Sequence, residues 1–303
     1  MEIPIFPHPN ISPSLIDALQ RLVWQLDNDP SLFEPDQLRR RLEALDLLDA
    51  YFPDTRQAMP GVEPDHTELY RRARDICARL EAVNSKLYQS IRSEIQRGAG
   101  ADALLRWVQT EEIAGDASGM GYDYLDELIG GVFEFEEPED GEILREPEIV
   151  FYQPTPARHI FHMIGLAALT ESDVLVDLGS GLGHVPLLVS ICTPARGLGI
   201  EMEAAYVERA RQCAQGLNLD RVTFLQQDAR TADLSTGTVF YLYTPFTGSI
   251  LRAVLDRLRC EAASRSIRIC SYGPCTPVVA AEPWLETSTD LEPDRIALFS
   301  SRV

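Results

Sequence analysis

The run VLVDLGSGLG at positions 174–183 constrains this chain more than any other stretch. Val174 to Leu178 has the length and the apolar, Val-rich character of a buried strand. It runs into Gly179, Gly181 and Gly183, and then into a helical pattern from about 184 to 192. Glycine carries no Cβ, so such a loop turns sharply and lets a ligand approach the backbone closely. In the dinucleotide fingerprint G-x-G-x-x-G the third glycine comes one residue later than it does here. That spacing disfavours a nucleotide-cofactor oxidoreductase. An acid, Asp177, stands two residues before the first glycine.

The rest of the C-terminal half alternates strand and helix. Thr155 followed by Pro156 has the form of a cap and a first helical residue, opening a helix to about 169. Strands are expected at 174–178, 197–201, 221–225, 238–242 and 266–270, with helices at 204–215 (closed by Gly216) and 249–260 between them. The last two apolar runs, 284–287 and 295–299, leave no room for a helix and read as a hairpin. Alternating strands and helices imply an α/β, doubly wound, largely parallel sheet that binds ligands at the C-terminal ends of its strands.

The N-terminal half is helical. Ser12 and Pro13 form a start signal, and Leu15, Ile16, Leu19, Leu22, Val23 and Leu26 follow at helical spacing. Leu38, Leu42, Leu45 and Leu48 mark a second helix, and a third is expected over 66–97. Its apolar residues from Leu69 to Leu87 are spaced alternately four and three apart, which suits a coiled coil or, over so few heptads, a long helix in a bundle. A short helix is expected over 103–108, with Trp107 packing on the others. The glycine-rich loop 115–121 is the boundary candidate, and the acidic stretch 134–142 reads as an exposed linker or as an acidic lip beside a site. This gives a helical domain over 1–114, a connecting segment over 115–150 and a ligand-binding domain over 151–303.

The chain has 47 acidic against 27 basic side chains, a net charge of −20. Nucleic-acid binding needs a basic footprint, so a nucleic-acid partner is disfavoured and a cationic partner is favoured, unless the charge serves solubility alone. No apolar run is long enough to span a bilayer, and the N-terminus has no basic region followed by an apolar one. The six cysteines form no Cys-x-x-Cys pair and read as reduced thiols. A cytoplasmic protein that holds no metal is expected. His159 and His162 share a helix face, but no acid partner accompanies them, so surface or core roles are expected.

The glycine loop with its preceding acid resembles motif I of the class I S-adenosylmethionine (SAM) methyltransferases, and the terminal hairpin is similar to the seven-stranded sheet of that fold. Tyr152 to Thr155, the glycine loop and the segment 239–248 are locally similar to the motif set of the non-SET histone-H3 lysine methyltransferases. The resemblance covers roughly residues 150–303. It implies SAM as cofactor and a methyltransferase activity. Glu201, at the end of the second strand, is placed to accept both ribose hydroxyls. The resemblance assigns Asp228 to the adenine amino group, the Ala229 N–H to the ring, and Asp177 to the methionine amino end. It puts Tyr152 and Thr155 beside the methionine end, with Gly179, Ser180, Gly181, Gly183, Met202 and Tyr243 completing the cofactor set.

The acceptor side departs from the family. The Asn that lines the lysine channel there is replaced by Tyr243 or Thr244, and only Gly248 matches cleanly. Histone and lysine specificity therefore do not carry over. Tyr243, Thr244 and Phe246 are the acceptor-side candidates, with core packing as the plainer role for the two aromatics. His184, at the start of the helix after the loop, is a candidate cofactor contact or base. The expected function is methyl transfer from SAM to an unidentified acceptor, a protein side chain or a small metabolite. The alternative is a SAM-binding interaction protein without catalysis.

Overall fold

The computed structural model describes residues 13–52, 64–108, 121–135, 147–287, 291–292 and 294–302. The chain forms two compact units, Met1–Tyr88 and Gln89–Val303. The first contains α1 (Pro13–Asp27), a 3-10 turn (Pro30–Phe33), α2 (Leu38–Tyr51) and the greater part of α3 (Pro64–Gln96). Leu19 and Val23 of α1, Ala44 and Leu48 of α2, and Ala73, Ile76 and Leu80 of α3 form one buried core. The apolar repeat of α3 therefore serves a small bundle. Arg41 is wholly buried there, donating to the Asn84 side chain at 2.6 Å and to the Leu32 carbonyl at 3.2 Å. Ser12 and residues 53–63 lie outside the described residues.

The second unit begins with the last turns of α3, then α4 (Gly100–Leu105) and α5 (Tyr124–Phe133). The short helix thus starts earlier than its sequence pattern implies. Helix α5 lies within the segment read as connecting; it opens on a capping box formed by Asp123 and Asp126 and buries Leu125, Leu128, Ile129, Val132 and Phe133. Most of the glycine-rich loop and of the acidic stretch, including 136–142, lies outside the described residues.

Then follow α6 (Ala157–Ala167), β1 (Val174–Leu178), α7 (His184–Cys192), β2 (Arg196–Glu201), α8 (Ala204–Gly216), β3 (Val222–Gln226), β4 (Val239–Leu242), α9 (Gly248–Ala262), β5 (Arg268–Ser271), a 3-10 turn (Gly273–Cys275), α10 (Thr276–Ala280), β6 (Leu285–Thr287) and β7 (Ala297–Ser301). The seven strands are ordered β3-β2-β1-β4-β5-β7-β6. The first five are parallel, and β7 pairs antiparallel with both β5 and β6. The expected terminal hairpin is therefore present. All five residues of β1 are buried, as the central strand of a sheet covered on both faces requires. Val176, Leu178, Phe240, Leu242 and Ile269 pack with Ile250, Val254 and Leu258 of α9 into the main core. The order of the strands reverses between β1 and β4, and ligands of such sheets bind at that switch point.

One local expectation is corrected. Thr155 does not cap α6. The helix begins at Ala157 with Pro156 before it, and the Ala157 N–H donates to Asp126 of α5 at 2.7 Å. The Thr155 hydroxyl instead meets the Tyr241 hydroxyl of β4 at 2.9 Å.

Candidate cofactor and acceptor site

The glycine loop is held open by its neighbours. The Gly179 and Ser180 N–H groups both donate to the Ile200 carbonyl, at 2.8 and 3.1 Å, which ties the loop to the end of β2. Gly181 has φ +50°, and a Cβ there would stand 2.0 Å from the Tyr152 ring. Gly179 has φ +85°, and a Cβ there would stand 2.3 Å from Pro245 in the loop after β4. Any side chain at these positions would drive the walls of the cleft apart.

Glu201 organises the next edge. One carboxylate oxygen accepts from the Gly181 N–H at 2.9 Å; the other accepts from the N–H groups of Met202 and Glu203, at 2.7 and 2.9 Å. Three backbone donors fix its position between the glycine loop and the start of α8. Asp228 follows β3 and is clasped by Arg230 through Nε and Nη2, the latter at 2.7 Å. That hydrogen bonding holds the Asp228 carboxyl below its ordinary range.

Asp177 sits inside β1, in register with Tyr241 of β4, and is 5% exposed. Burial first, and the like charge of Glu201 second, push its pKa well above the usual carboxylate range. An acid that is costly to ionise in the protein alone suits a site that receives a cation. Nearby, the Ser180 hydroxyl is buried with no hydrogen-bond partner among the described residues.

Tyr152 roofs the loop. Its hydroxyl meets His184 Nδ1 at 3.2 Å, and its ring lies against Tyr206 with centroids 4.9 Å apart. Burial raises the Tyr152 pKa and pushes that of His184 down to about 4, so both groups are neutral near pH 7. His184 also packs on Phe133 and Phe135. The segment carrying Tyr152 is a strap anchored at several points. Glu148 accepts from Ser249 and from the Ile250 N–H at the start of α9, the Val150 N–H donates to the Pro245 carbonyl at 3.1 Å, and the Tyr122 hydroxyl donates to the Pro154 carbonyl.

Strap, glycine loop and strand ends enclose a cavity of about 250 Å³. It is lined by Tyr152, Thr155, Asp177, Gly179, Ser180, Glu201, Met202, Asp228 and Ala229, and by Tyr243, Thr244 and Phe246. Gly181 and Gly183 belong to the loop without lining it. Phe246 is buried; Tyr243 is half-buried and packs on Tyr272 at 4.7 Å. Thr244 has φ +39°, and its hydroxyl accepts from the Cys275 N–H at 3.1 Å and lies 3.4 Å from the Tyr272 carbonyl. His159 is buried against Tyr272, Nε2 to hydroxyl 3.0 Å. Among the described residues no group of three or more His, Cys, Asp or Glu side chains could hold a metal ion, and no helix is long and apolar enough to cross a membrane.

Several lining residues escape sequence reasoning. Tyr206 sits on an exposed-looking helix turn, and nothing marks its contact with Tyr152. Arg230 and Phe151 have no motif. Tyr241 had a usable signal, since it alternates with Phe240 and Leu242 on β4 and so faces the same way as the site residues of β1.

The residues fit SAM on these grounds. The strand ends bring the carboxylates of Glu201 and Asp228 to the cavity, which suits a ligand rich in hydrogen-bond donors, while buried Asp177 and a Ser180 hydroxyl without a partner among the described residues line a place where a cationic, hydrogen-bonding group would satisfy them.

No family model matches the chain, and no curated protein matches it. Solved structures do. An RNA methyltransferase from Salinibacter ruber in complex with S-adenosyl-L-homocysteine (SAH) is 31% identical; the match covers 49% of this chain and 92% of that one, with a TM-score of 0.40. A putative methyltransferase from Escherichia coli is 16% identical over 51% of this chain and 90% of its own, with a TM-score of 0.41. The Pyrococcus abyssi tRNA (uracil-54, C5)-methyltransferase in complex with SAH is 18% identical over 50% of this chain and 40% of its own, with a TM-score of 0.38.

Proposed function

We propose that this chain, which belongs to the class I SAM-dependent methyltransferase superfamily, transfers the methyl group of SAM to an acceptor bound against Tyr243, Thr244 and Phe246. One observation carries the reading: a single cavity gathers Asp177, Glu201 and Asp228, from the ends of three adjacent parallel strands, around a glycine loop. When bound, SAM supplies a methyl group on a sulfonium, which is a good leaving group. Everything else falls to the protein. Glu201 holds the ribose hydroxyls. Asp228 accepts from the adenine amino group, with the Ala229 N–H on the ring and Met202 alongside. Asp177 takes the ammonium. Gly179, Ser180, Gly181 and Gly183 let the loop backbone close on the ligand, and Tyr152 and Thr155 cover its methionine end. Tyr243 lines the acceptor end. The protein's contribution to rate is alignment and exclusion of water, worth several kcal/mol, on the order of what well-oriented intramolecular reactions gain.

In this reading the catalytic portion is 151–303, with 115–150 connecting it to a helical region over 1–114. The acceptor is a small molecule or a protein side chain. The net charge of −20 speaks against RNA for this chain, although the Salinibacter and Pyrococcus proteins are described as RNA and tRNA methyltransferases. A SAM-binding interaction protein without catalysis would be favoured by a Tyr243 that sealed the cleft; its half-exposed ring on the cavity wall favours an acceptor instead.

Ultraviolet crosslinking of methyl-tritiated SAM tests this. Label should enter peptides containing Tyr152 or Tyr243 and be chased by excess SAH. Label confined to peptides remote from the cavity, or undiminished by SAH, would refute the assignment.

A further inference from the structure

The walls of the cavity differ in charge. Its Asp, Glu, His and Arg lining residues, Asp177, His184, Glu201, Glu203, Asp228 and Arg230, all stand on the β1, β2 and β3 side, where the cofactor is assigned. The opposite wall is made by the strap and the loop after β4. Its lining residues Val150, Phe151, Gln153, Pro154, Tyr243 and Phe246 carry no charge. These two segments are joined directly, by the Ile149–Phe246 bridge and the Val150 N–H bond to Pro245. Phe151 is 81% exposed beside the mouth, and Tyr243 is backed by Tyr272 and then by His159, with ring centroids 4.7 and 4.4 Å apart.

Among the described residues of this wall that line the cavity none is a carboxylate or an imidazole; Glu148 of the strap does not line it and is held by Ser249 and the Ile250 N–H. The Thr244 hydroxyl is engaged by the Cys275 N–H and the Tyr272 carbonyl. The Tyr243 phenol is not a proton acceptor of useful strength, and His184 is turned to Tyr152 and the Phe133–Phe135 pair. An acceptor whose nucleophilic atom carries a proton at neutral pH, such as a lysine ammonium or a phenol, would find nothing here to remove it. The acceptor must arrive with a free lone pair. A wall of exposed Phe and backed Tyr suits a flat ring over a flexible chain.

Resting on the methyl-transfer reading above, we infer that the acceptor is an uncharged, flat nitrogen heteroaromatic, methylated on its ring nitrogen while lying between Tyr243 and Phe151. The ring-nitrogen lone pair forms the new N–CH3 bond as the S–CH3 bond breaks, its electron pair staying on sulfur. The sulfonium becomes a neutral thioether, the ring becomes an N-methyl cation, and no proton moves. Positive charge thus passes from sulfur to the acceptor. The face of Tyr243, with the tilted rings of Tyr272 and His159 behind it, lies where that charge develops, and an aromatic face stabilises a cation through its quadrupole.

Isoquinoline and quinoline are the probes, assayed with methyl-tritiated SAM beside benzylamine, 1-naphthol, a lysine-rich peptide and a single-stranded RNA. SAH calorimetry is run on every protein sample. Label should enter isoquinoline or quinoline as the N-methyl cation. Tyr243→Leu should lower kcat/KM by about tenfold, and Tyr243→Phe should recover most of it, because the ring face acts and the hydroxyl does not. Label on the amine, naphthol, peptide or RNA, or none on either heteroaromatic while SAH still binds, overturns the inference and leaves the methyl-transfer reading standing. Absence of SAH binding removes both. Equal losses in Tyr243→Leu and Tyr243→Phe would refute the role given to the ring face.

Discussion

Two groups at the glycine loop, buried Asp177 and partly buried His184, carry opposite lessons. Asp177 is held in β1 where burial and the Glu201 charge both oppose its ionisation. A ligand-free protein therefore carries strain there that a cationic ligand relieves. Asp177→Asn should raise the midpoint of denaturant unfolding at pH 7 while weakening SAM about tenfold or more, the worth of a charge-assisted hydrogen bond. A variant that lost stability and kept its affinity would contradict this. His184 works through its neutrality. Its pKa is 6.5 unfolded and about 4 folded, lowered by burial. Above pH 6.5 both states are neutral and nothing is lost. As pH falls below 6.5 the unfolded chain takes up the proton first, so stability falls until about pH 4, by about 3 kcal/mol at the foot of the window. His184→Phe keeps a ring against Phe133 and Phe135 and should flatten that part of the profile, read as unfolding midpoints at pH 7.5 and 4.5.

At the scale of elements, the strap 147–155 and helix α9 stabilise one another. Thr247 makes no side-chain cap for α9, and Glu148 supplies it from a distant part of the chain by accepting from Ser249 and the Ile250 N–H. Glu148→Ala should speed hydrogen exchange at the Ile250 amide and loosen the strap that carries Tyr152, weakening SAH as well; unchanged protection would place the cap elsewhere. The contact also shows what sequence reasoning reaches. Every strand of the sheet was legible to within a few residues, because buried parallel strands are short apolar runs and the final two had no helix between them. That the loop, Glu201 and Asp228 would meet at one cavity was legible, because each stands at or just after the end of a strand. The strap was not, since its anchors pair residues about a hundred positions apart, as Glu148 does with Ile250. Thr155 misled for the same reason: a cap-like dipeptide is a local signal, while the donor it would have satisfied is taken by Asp126 of α5. That helix was itself missed, although Asp123 and Asp126 spell a capping box, because its two glycines and acidic surroundings read as connecting chain.

For the whole molecule, the net charge of −20 sets a field that any ligand must enter. SAM carries one net positive charge near neutral pH and SAH none. Raising the ionic strength from about 0.01 M to 1 M shortens the screening length from about 30 Å to about 3 Å, so SAM affinity should fall more than SAH affinity. Equal slopes would mean that the acids of the cleft, and the field behind them, do not recognise the cofactor's charge. More narrowly, we propose that the cleft at the β1–β4 switch point is a SAM site built on Glu201. Titration calorimetry of SAH into wild type and Glu201→Gln tests it most directly. Wild type should show one site and the variant an affinity about tenfold to a hundredfold weaker, because the ribose loses a charged acceptor and the loop loses its fixed carboxylate. Undiminished binding in a folded Glu201→Gln protein, or no binding of SAH or SAM to folded wild type, would contradict it.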